Sequence, residues 1–598
     1  MKGSIFVIFG TFVTLTCTNV FASLDGSLSV DLISAIKHPS NAAWSPDGKL
    51  VSFLWDNAGN QNLFIVAPGK NPSAITSFSP NKNDLSGTIG HFEWISSKNI
   101  VFSHNNQLWI ASTSEPPKKI PFTIGTSQFA VSPEKNKLAV VQDGALSLIQ
   151  ITGDSKRKLV DLNEQLQLSE PVFAPDGSHL SFMSSSVKRV GDILPYNGSK
   201  QALFRNETSN RKIGIVSTTG NNLTWIKIKG RAGGVQWVNK QSVLFQEISK
   251  NMKRREIQIA NLDGSVRMLR TDYDPRWWSP LRRDARTVVS PDGKQVAFFA
   301  DETGWTHLYV MPTDGSVPGS LARKLTSGQF EVGFGGWSAD GTKIAFYDNQ
   351  DSPMERFIRI VDVNTGQIES IVTKQGVNYW PQFSPDQSQL VFERTDVENS
   401  VDLYVTTASN GSNSEIIRLT ESMPKEIEKS NLTRPRAVYF PSRFDNKEVP
   451  GSLFVPDDLS RTEQHPAIVW IHGSGSEQNF LGWHPFSYRM YYSANQYLAQ
   501  QGYIILAVDY RGSSGYGRDW GTGHHLDLGG SDALDVAAGA DYLKTLPYVD
   551  PDRIGVWGLS YGGFLTLQAM VHTPKLFRCG IDVAGVTDWT TWGLESNG

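Results

Sequence analysis

Residues 553–564 read Arg553-Ile-Gly-Val-Trp-Gly-Leu-Ser560-Tyr-Gly-Gly-Phe564. An apolar run enters Gly-x-Ser-x-Gly, formed by Gly558, Ser560 and Gly562, and a helix-forming stretch from Phe564 to His572 follows. Such a strand-to-helix turn is so tight that a side chain two residues either side of the serine would strike the neighbouring strand and helix. The pattern predicts a nucleophile elbow. Ser560 would sit in a strained backbone conformation, its hydroxyl at a helix N-terminus where amide groups can meet a developing negative charge. One donor for that charge is the backbone N–H of Tyr561. The other is expected from the loop after an earlier strand, where Ile471-His472-Gly473-Ser474-Gly475 stands, with Gly473 as the candidate amide. His472 reads equally well as a packed histidine at a strand end and as a functional group.

Working outward, Pro466-Ala-Ile-Val-Trp-Ile-His472 and Tyr503-Ile-Ile-Leu-Ala-Val508 are continuous apolar runs, as expected of parallel strands covered on both faces. Ser531 to Leu546 carries apolar residues at helical spacing. Strand and helix therefore alternate beyond about residue 430, which predicts a doubly wound α/β unit over 431–598.

Upstream the period changes. From about residue 40 to 415 one unit recurs: a turn segment, an alternating apolar strand, a polar break and a second strand. Its clearest copies begin at Trp44, Val289 and Trp337, weaker ones at Phe173 and Phe383, and degenerate ones near Trp94, Ser132 and Trp237. The spacing of roughly 40 to 60 residues is that of a four-stranded propeller blade. In the recurring Ser-Pro-Asp-Gly, Pro presets φ, Asp caps the turn and Gly takes the positive φ. The motif thus reads as structural, and the tryptophans as packing between blades. The expected architecture is a β-propeller of about seven to eight blades over 23–430, including a short lead-in, followed by the α/β unit.

The 598 residues suit two large units. A formal net charge of -3 with no long basic run leaves no cationic footprint for nucleic acid. Residues 1–22 read as a secretory signal: Lys2, an apolar stretch from Ile5 to Val13, and Val20-Phe21-Ala22 before the cut. The run is broken by Gly10, Thr11 and Thr14 and falls short of the roughly 20 residues that span a bilayer. Secreted or periplasmic location is expected, with no stable membrane insertion after cleavage. Of two cysteines, Cys17 lies in the signal, so Cys579 is left alone and no internal disulfide forms. No metal site, phosphate-binding loop or cofactor is indicated, and self-association is left open.

The order of propeller, His-Gly loop, Asp509-Tyr510-Arg511-Gly512-Ser513-Ser514-Gly515-Tyr516-Gly517 and Gly-x-Ser-Tyr-Gly-Gly resembles the prolyl oligopeptidase family of serine peptidases, including its dipeptidyl peptidase IV and acylaminoacyl peptidase branches. Asp532, Asp535 and Tyr548-Val-Asp-Pro551 are similar to the family's helix and turn before the elbow. The resemblance implies an α/β-hydrolase domain, peptide substrates limited by a covering propeller, and an acyl-enzyme on Ser560. It also implies that Val583 to Trp592 walls the pocket for the residue before the cleaved bond. Val586, Trp589 and Trp592 would make a small apolar slot, suited to Pro or another small side chain, with His472 beside it.

Three departures qualify the resemblance. Where two branches place a tyrosine, this sequence has His472, and His-Gly-Ser-Gly is nearer the acylaminoacyl pattern. Asp301 to Tyr309 resembles a blade of the dipeptidyl peptidase IV branch, yet no Glu-Glu pair occurs to hold a substrate's amino terminus, so dipeptidyl cleavage is not predicted. The family's triad acid and base follow the serine by more than the 38 residues found here. His572 falls on the elbow helix and Asp582 in the next strand. The chain is therefore expected to be a C-terminally truncated, incomplete hydrolase, inactive alone. An esterase or other acyl hydrolase, and a non-catalytic propeller binding protein, are the alternatives.

Overall fold

The computed structural model of the chain describes residues 28–589 except 58–59, 80–87, 162–165, 197–198, 221, 276–285, 410–413, 429 and 487. The expected signal segment, with Lys2 and Cys17, and Trp592 lie outside the described residues.

Eight four-stranded antiparallel sheets occupy 39–74, 89–119, 126–161, 166–226, 231–273, 287–324, 332–372 and 377–418, here blades 1 to 8. Neighbouring strands of each blade are neighbours in sequence, so short turns do the connecting. In blade 1 Ser45 Oγ donates to Asp47 Oδ1 at 2.7 Å, the Leu50 N–H donates to Ser45 Oγ at 3.0 Å, and Gly48 has φ +69°. Gln387 replaces the glycine in blade 8 and still adopts φ +64°. The Ser–Asp clasp, 2.6 Å between Ser384 and Asp386, holds the turn there without glycine's help.

The recurring tryptophans join the blades. Trp94 Nε1 donates to Ser52 Oγ of blade 1 at 2.8 Å, Trp237 Nε1 to the Val172 carbonyl of blade 4 at 3.0 Å, and Trp337 Nε1 to the Val288 carbonyl of blade 6 at 3.1 Å. Each reaches the preceding blade. Trp44 does the same across the seam, donating to the Gln382 carbonyl of blade 8 at 3.2 Å. Val51, Phe53 and Val66 share one buried cluster with Val391, Leu403 and Val405, which closes the ring.

The second unit is a six-stranded sheet: β1 Arg436–Pro441, β2 Glu448–Phe454, β3 His465–Ile471, β4 Ile504–Val508, β5 Val549–Leu559 and β6 Cys579–Val583. Its order is β1-β2-β4-β3-β5-β6. Strands β3 to β6 are parallel, and β2 pairs antiparallel with both β1 and β4. Helices α2 Ser531–Lys544 and α3 Tyr561–His572 cover one face, burying Val469, Leu506, Val536, Val556 and Leu565. Helix α1 Arg489–Gln500 covers the other, against Trp470, Ile505 and Trp483. Burial on both faces is why β3 and β4 read as unbroken apolar runs.

Leu28 and Ile36, flanking the short helix Val30–Ser34, are buried with Met423, Ile427, Trp470 and Tyr492, and the Leu28 N–H donates to Gln500 Oε1 at 2.8 Å. Residues 28–36 therefore help cover an apolar face of the α/β unit, together with Met423 and Ile427 from the segment that follows the last blade.

Candidate active site

Strand β5 delivers Ser560 to the first turn of α3. Ser560 has φ +57° and ψ -117°, a strained conformation for a residue with a side chain, and stands as the helix N-cap. Its N–H donates to the Val583 carbonyl at 2.8 Å, and its carbonyl accepts the Phe564 N–H at 3.0 Å, so the turn is fixed from β6 and from α3. The flanking glycines are dictated by backbone crowding. A Cβ on Gly558 would overlap Gly562 and come 2.8 Å from the Ile471 oxygen; one on Gly562 would overlap that oxygen and come 2.7 Å from the His472 oxygen. The elbow is wedged against the end of β3.

Tyr561 opens α3, and first-turn amides have no acceptor within their own helix, so its N–H is directed past the serine. The Tyr561 ring is buried, and its hydroxyl donates to Asp532 Oδ2 at 2.5 Å. Burial and the Asp532 carboxylate raise this phenol well above its ordinary range, so its hydroxyl keeps its proton. Gly473 lies directly before the serine: a Cβ there would meet the Leu559 oxygen at 2.6 Å and Ser560 Cβ at 3.2 Å, and would overlap the Tyr488 hydroxyl.

His472, expected from sequence beside the pocket, is buried at the end of β3. It is 2% exposed, its ring stacks on Tyr510 at 4.5 Å, its Nε2 lies 2.9 Å from Ser513 Oγ, and the Tyr510 hydroxyl donates to its carbonyl at 2.9 Å. The imidazole ties the loop after β3 to the loop after β4. Trp589 packs edge-on against Phe564 at 5.4 Å and against Tyr561 at 5.6 Å, beneath the elbow helix. Val586 is half-buried on the segment leading to it. His572 stands at the far end of α3, about 18 Å along the helix axis from Ser560, with its Nε2 3.0 Å from Gln568 Oε1. Asp582 Oδ1 accepts the Gly585 N–H at 2.8 Å.

The loops after β3 and β4 meet the propeller, so the elbow end of the sheet faces it. Glu331 at the entry to blade 7 accepts the N–H of Gly515 at 2.9 Å and of Gly517 at 3.2 Å, while Asn349 Nδ2 donates to the Gly515 carbonyl at 2.7 Å. Arg356 Nη2 donates to Gln478 Oε1 at 2.6 Å. Arg518 forms an ion pair with Asp274 and lies 3.7 Å from Asp301. Arg511 is held inside the α/β unit by Asp535, 2.8 Å from its Nε, and by Asp445 at 3.0 Å. These carboxylates overcome desolvation and raise the guanidinium above its ordinary value. A cavity of about 430 Å³ lies between blades 1, 7 and 8 and residues 485–489, lined by Arg286, Trp380, Glu393, Phe486 and Arg489 among others. Burial pushes the Glu393 carboxyl up to about 8 against the attraction of Arg489.

Sequence reading missed Glu331, Asn349, Arg356, Arg518 and Tyr488. Arg511, Asp532 and Asp535 were noticed only by resemblance; their partners, and so their work, appear only once the sheet brings 442–445, 511 and 535 together.

An eight-bladed propeller thus precedes an α/β-hydrolase sheet with a nucleophile elbow, and the elbow end of the sheet faces the propeller. Residues 489–597 match the family model described as the prolyl oligopeptidase family, and residues 232–399 that of the dipeptidyl peptidase IV N-terminal region. Over these two stretches the chain is similar to the prolyl oligopeptidase family and to the dipeptidyl peptidase IV N-terminal region. It is 26% identical over 372 residues to "Probable dipeptidyl-aminopeptidase B" of Talaromyces marneffei, covering 59% of this chain and 40% of that one. It is 26% identical over 312 residues to dipeptidyl-peptidase 5 of Porphyromonas gingivalis, covering 51% and 42%. The matches to these relatives span about two fifths of their length. The crystal structure of Porphyromonas gingivalis dipeptidyl peptidase 4 superposes with a TM-score of 0.75 at 17% identity, covering 94% of this chain and 85% of that one, a likeness of fold.

Proposed function

We propose that the protein hydrolyses short peptides through an acyl-enzyme on Ser560, with Tyr561 and Gly473 amides as oxyanion donors and a preference for Pro or a small apolar residue before the cleaved bond. The observation that carries this reading is the strained elbow serine at the head of α3, in contact with Gly473, at the end of the sheet that the propeller covers. The similarity of residues 489–597 to the prolyl oligopeptidase family supports a peptidase over an esterase. Two relatives are named for dipeptide release, which supports cleavage near a free amino terminus. The absence of a Glu-Glu pair means that any recognition of that terminus would use other groups. Val586, Trp589 and Trp592 are proposed to wall the pocket for the residue before the cleaved bond. Export to the periplasm or medium is proposed from the leader sequence alone.

The test is the Ser560→Ala variant of the protein expressed from its complete reading frame, assayed on proline-containing peptides. Loss of turnover on the order of 10⁶ is expected. Activity retained within tenfold of wild type would remove Ser560 from the mechanism.

A further inference from the structure

We propose that the cavity between blades 1, 7 and 8 and residues 485–489 is a binding site for the free carboxylate end of a short peptide, with Arg489 and Arg286 as its cationic partners and Glu393 beside them; the proposal rests on the reading of the protein as a hydrolase of short peptides. At about 430 Å³ the cavity falls in the size range of small-ligand sites. Trp380, Pro485 and Phe486 supply apolar surface, and Arg286, Glu393 and Arg489 the charges. Trp380 reaches the lining through a left-handed backbone, φ +51°, at a bulge where the inner strand of blade 8 slips register between Tyr379 and Gln382. Such a bulge re-aims a side chain. Here it sets the indole ring 5.2 Å from the Phe486 ring of the α/β unit.

The fold leaves two of these charged groups available. The Arg489 guanidinium and the Glu393 carboxyl face the same cavity and attract one another, yet neither side chain makes a hydrogen bond or a close ion pair with any described residue. Arg511, by contrast, is saturated by Asp535 and Asp445. Because burial holds Glu393 at about 8, it carries a proton at neutral pH and acts as a donor. The other charges near it are Arg286 at the entry to blade 6 and Asp56 of blade 1, which attracts Arg489 without lining the cavity; His38 of the lead-in is kept neutral, since burial and Arg489 lower it to about 3. Two guanidiniums and a protonated carboxyl thus make the lining rich in donors and positive. A carboxylate fits it, accepting a forked pair of hydrogen bonds from a guanidinium and another from Glu393. An ammonium group would meet two cations. The apolar surface then takes the side chain of the peptide's last residue. Tyr488 directly precedes Arg489, and a Cβ on Gly473 would overlap its hydroxyl and meet Ser560 Cβ at 3.2 Å, so successive residues wall the cavity and border the elbow.

The experiment titrates the Ser560→Ala variant, expressed from the complete reading frame, with N-acetyl-Ala-Phe and with its carboxyl-terminal amide in a calorimeter. The acid should bind more tightly than the amide by about tenfold or more. Arg489→Met in that background should erase the difference, whereas Arg434→Met, at an exposed arginine paired with Glu398, should leave it. N-acetyl-Asp-Phe amide, whose carboxylate is a side chain, should bind no better than the Ala-Phe amide. Neither of the first two ligands carries an amine, so affinity for the acid should fall between about pH 7 and 9 as Glu393 loses its proton, and Glu393→Gln should flatten that fall. Acid and amide bound alike or not at all, an equal gain from the Asp side chain, or tighter binding of Ala-Phe amide with its amine unblocked than of the acid, overturns the proposal. An unstable Arg489→Met protein is recognised by its loss of the amide as well, and the pH series on Glu393→Gln then decides. Because the assay reads binding alone, turnover retained by Ser560→Ala removes the nucleophile reading and leaves the site standing, and equal binding of acid and amide removes the site and leaves Ser560 in place.

Discussion

Glu331 of the propeller accepts the Gly515 N–H at 2.9 Å, so one carboxylate from blade 7 fixes the backbone of the loop after β4. Its second oxygen accepts the Gly517 N–H at 3.2 Å. That loop presses on the oxyanion loop: a Cβ on Gly512 would come 2.6 Å from the Gly475 carbonyl. A path of direct contacts therefore runs from the propeller to the residues around Ser560.

Glu331→Ala should lower kcat/KM by tenfold or more, because hydrogen bonds to a charged group contribute about 1.5–3 kcal/mol each. Glu331→Gln keeps one good acceptor and should fall between the alanine variant and wild type. Steady-state kinetics on a short peptide decides it. An alanine variant within twofold of wild type would mean that the propeller does not help position this loop.

Gly473→Ala should be a catalytic lesion out of proportion to its size. The added methyl meets the Leu559 carbonyl at 2.6 Å and Ser560 Cβ at 3.2 Å, contacts that force the elbow or the loop after β3 to move. Since displacement of reacting groups by about 1 Å costs about 10²-fold, turnover should drop at least that much while far-ultraviolet circular dichroism is unchanged. Labelling of Ser560 by a fluorophosphonate should slow in step. Normal labelling with lost turnover would place the damage elsewhere.

Most of the architecture was legible because it rests on local chemistry. Ser-Pro-Asp-Gly turns, strand alternation and Gly-x-Ser-x-Gly each act within a few residues, and the elbow, β3, β4, α2 and the blades stand where those signals put them. The packing of the lead-in was illegible, since Leu28 and Ile36 find their partners, Met423 and Trp470, about 400 residues away. Glu331, Arg518 and Tyr488 were illegible for the same reason: each carries meaning only through a partner that the fold brings to it. His472 stood in an informative motif, yet its partners Tyr510 and Ser513 come to it only when the loops after β3 and β4 meet.

Asp301 should give the protein a pH-dependent stability. Burial, reinforced by the Asp272 and Glu331 charges, raises its carboxyl to about 6 from an ordinary value near 3.8. The folded state therefore binds this proton more tightly than the unfolded chain. Stability is greatest below about pH 4 for this group, falls as pH rises towards 6 and stays lower above it, by up to ~3 kcal/mol. Asp301→Asn should raise the melting temperature at pH 8 by a few degrees and flatten the change between pH 4 and 6. A variant that melts lower at pH 8 would show that the charge beside Arg518 stabilises the fold more than its burial costs.

Selectivity for the residue before the cleaved bond tests the proposed wall of Val586, Trp589 and Trp592. Trp589 lies against Tyr561 and Phe564, directly under the elbow helix, and the residues around it are apolar. A charged side chain entering such a site loses its hydration without gaining a partner, which costs several kcal/mol, whereas Pro or Ala enters freely. Peptides with Pro or Ala there should exceed those with Lys or Asp by more than tenfold in kcat/KM. Trp589→Ala should reduce kcat/KM for the Pro peptide and also lower the melting temperature, by less than the roughly 3–5 kcal/mol that truncating a fully buried aromatic costs, since the ring is half-buried beneath α3. Val586→Ala removes less buried surface and should alter the Pro to Ala ratio with little change in melting. If Lys peptides are preferred, or if Trp589→Ala lowers the melting temperature and leaves the Pro to Lys ratio as it was, the tryptophan packs the core only and the pocket lies elsewhere.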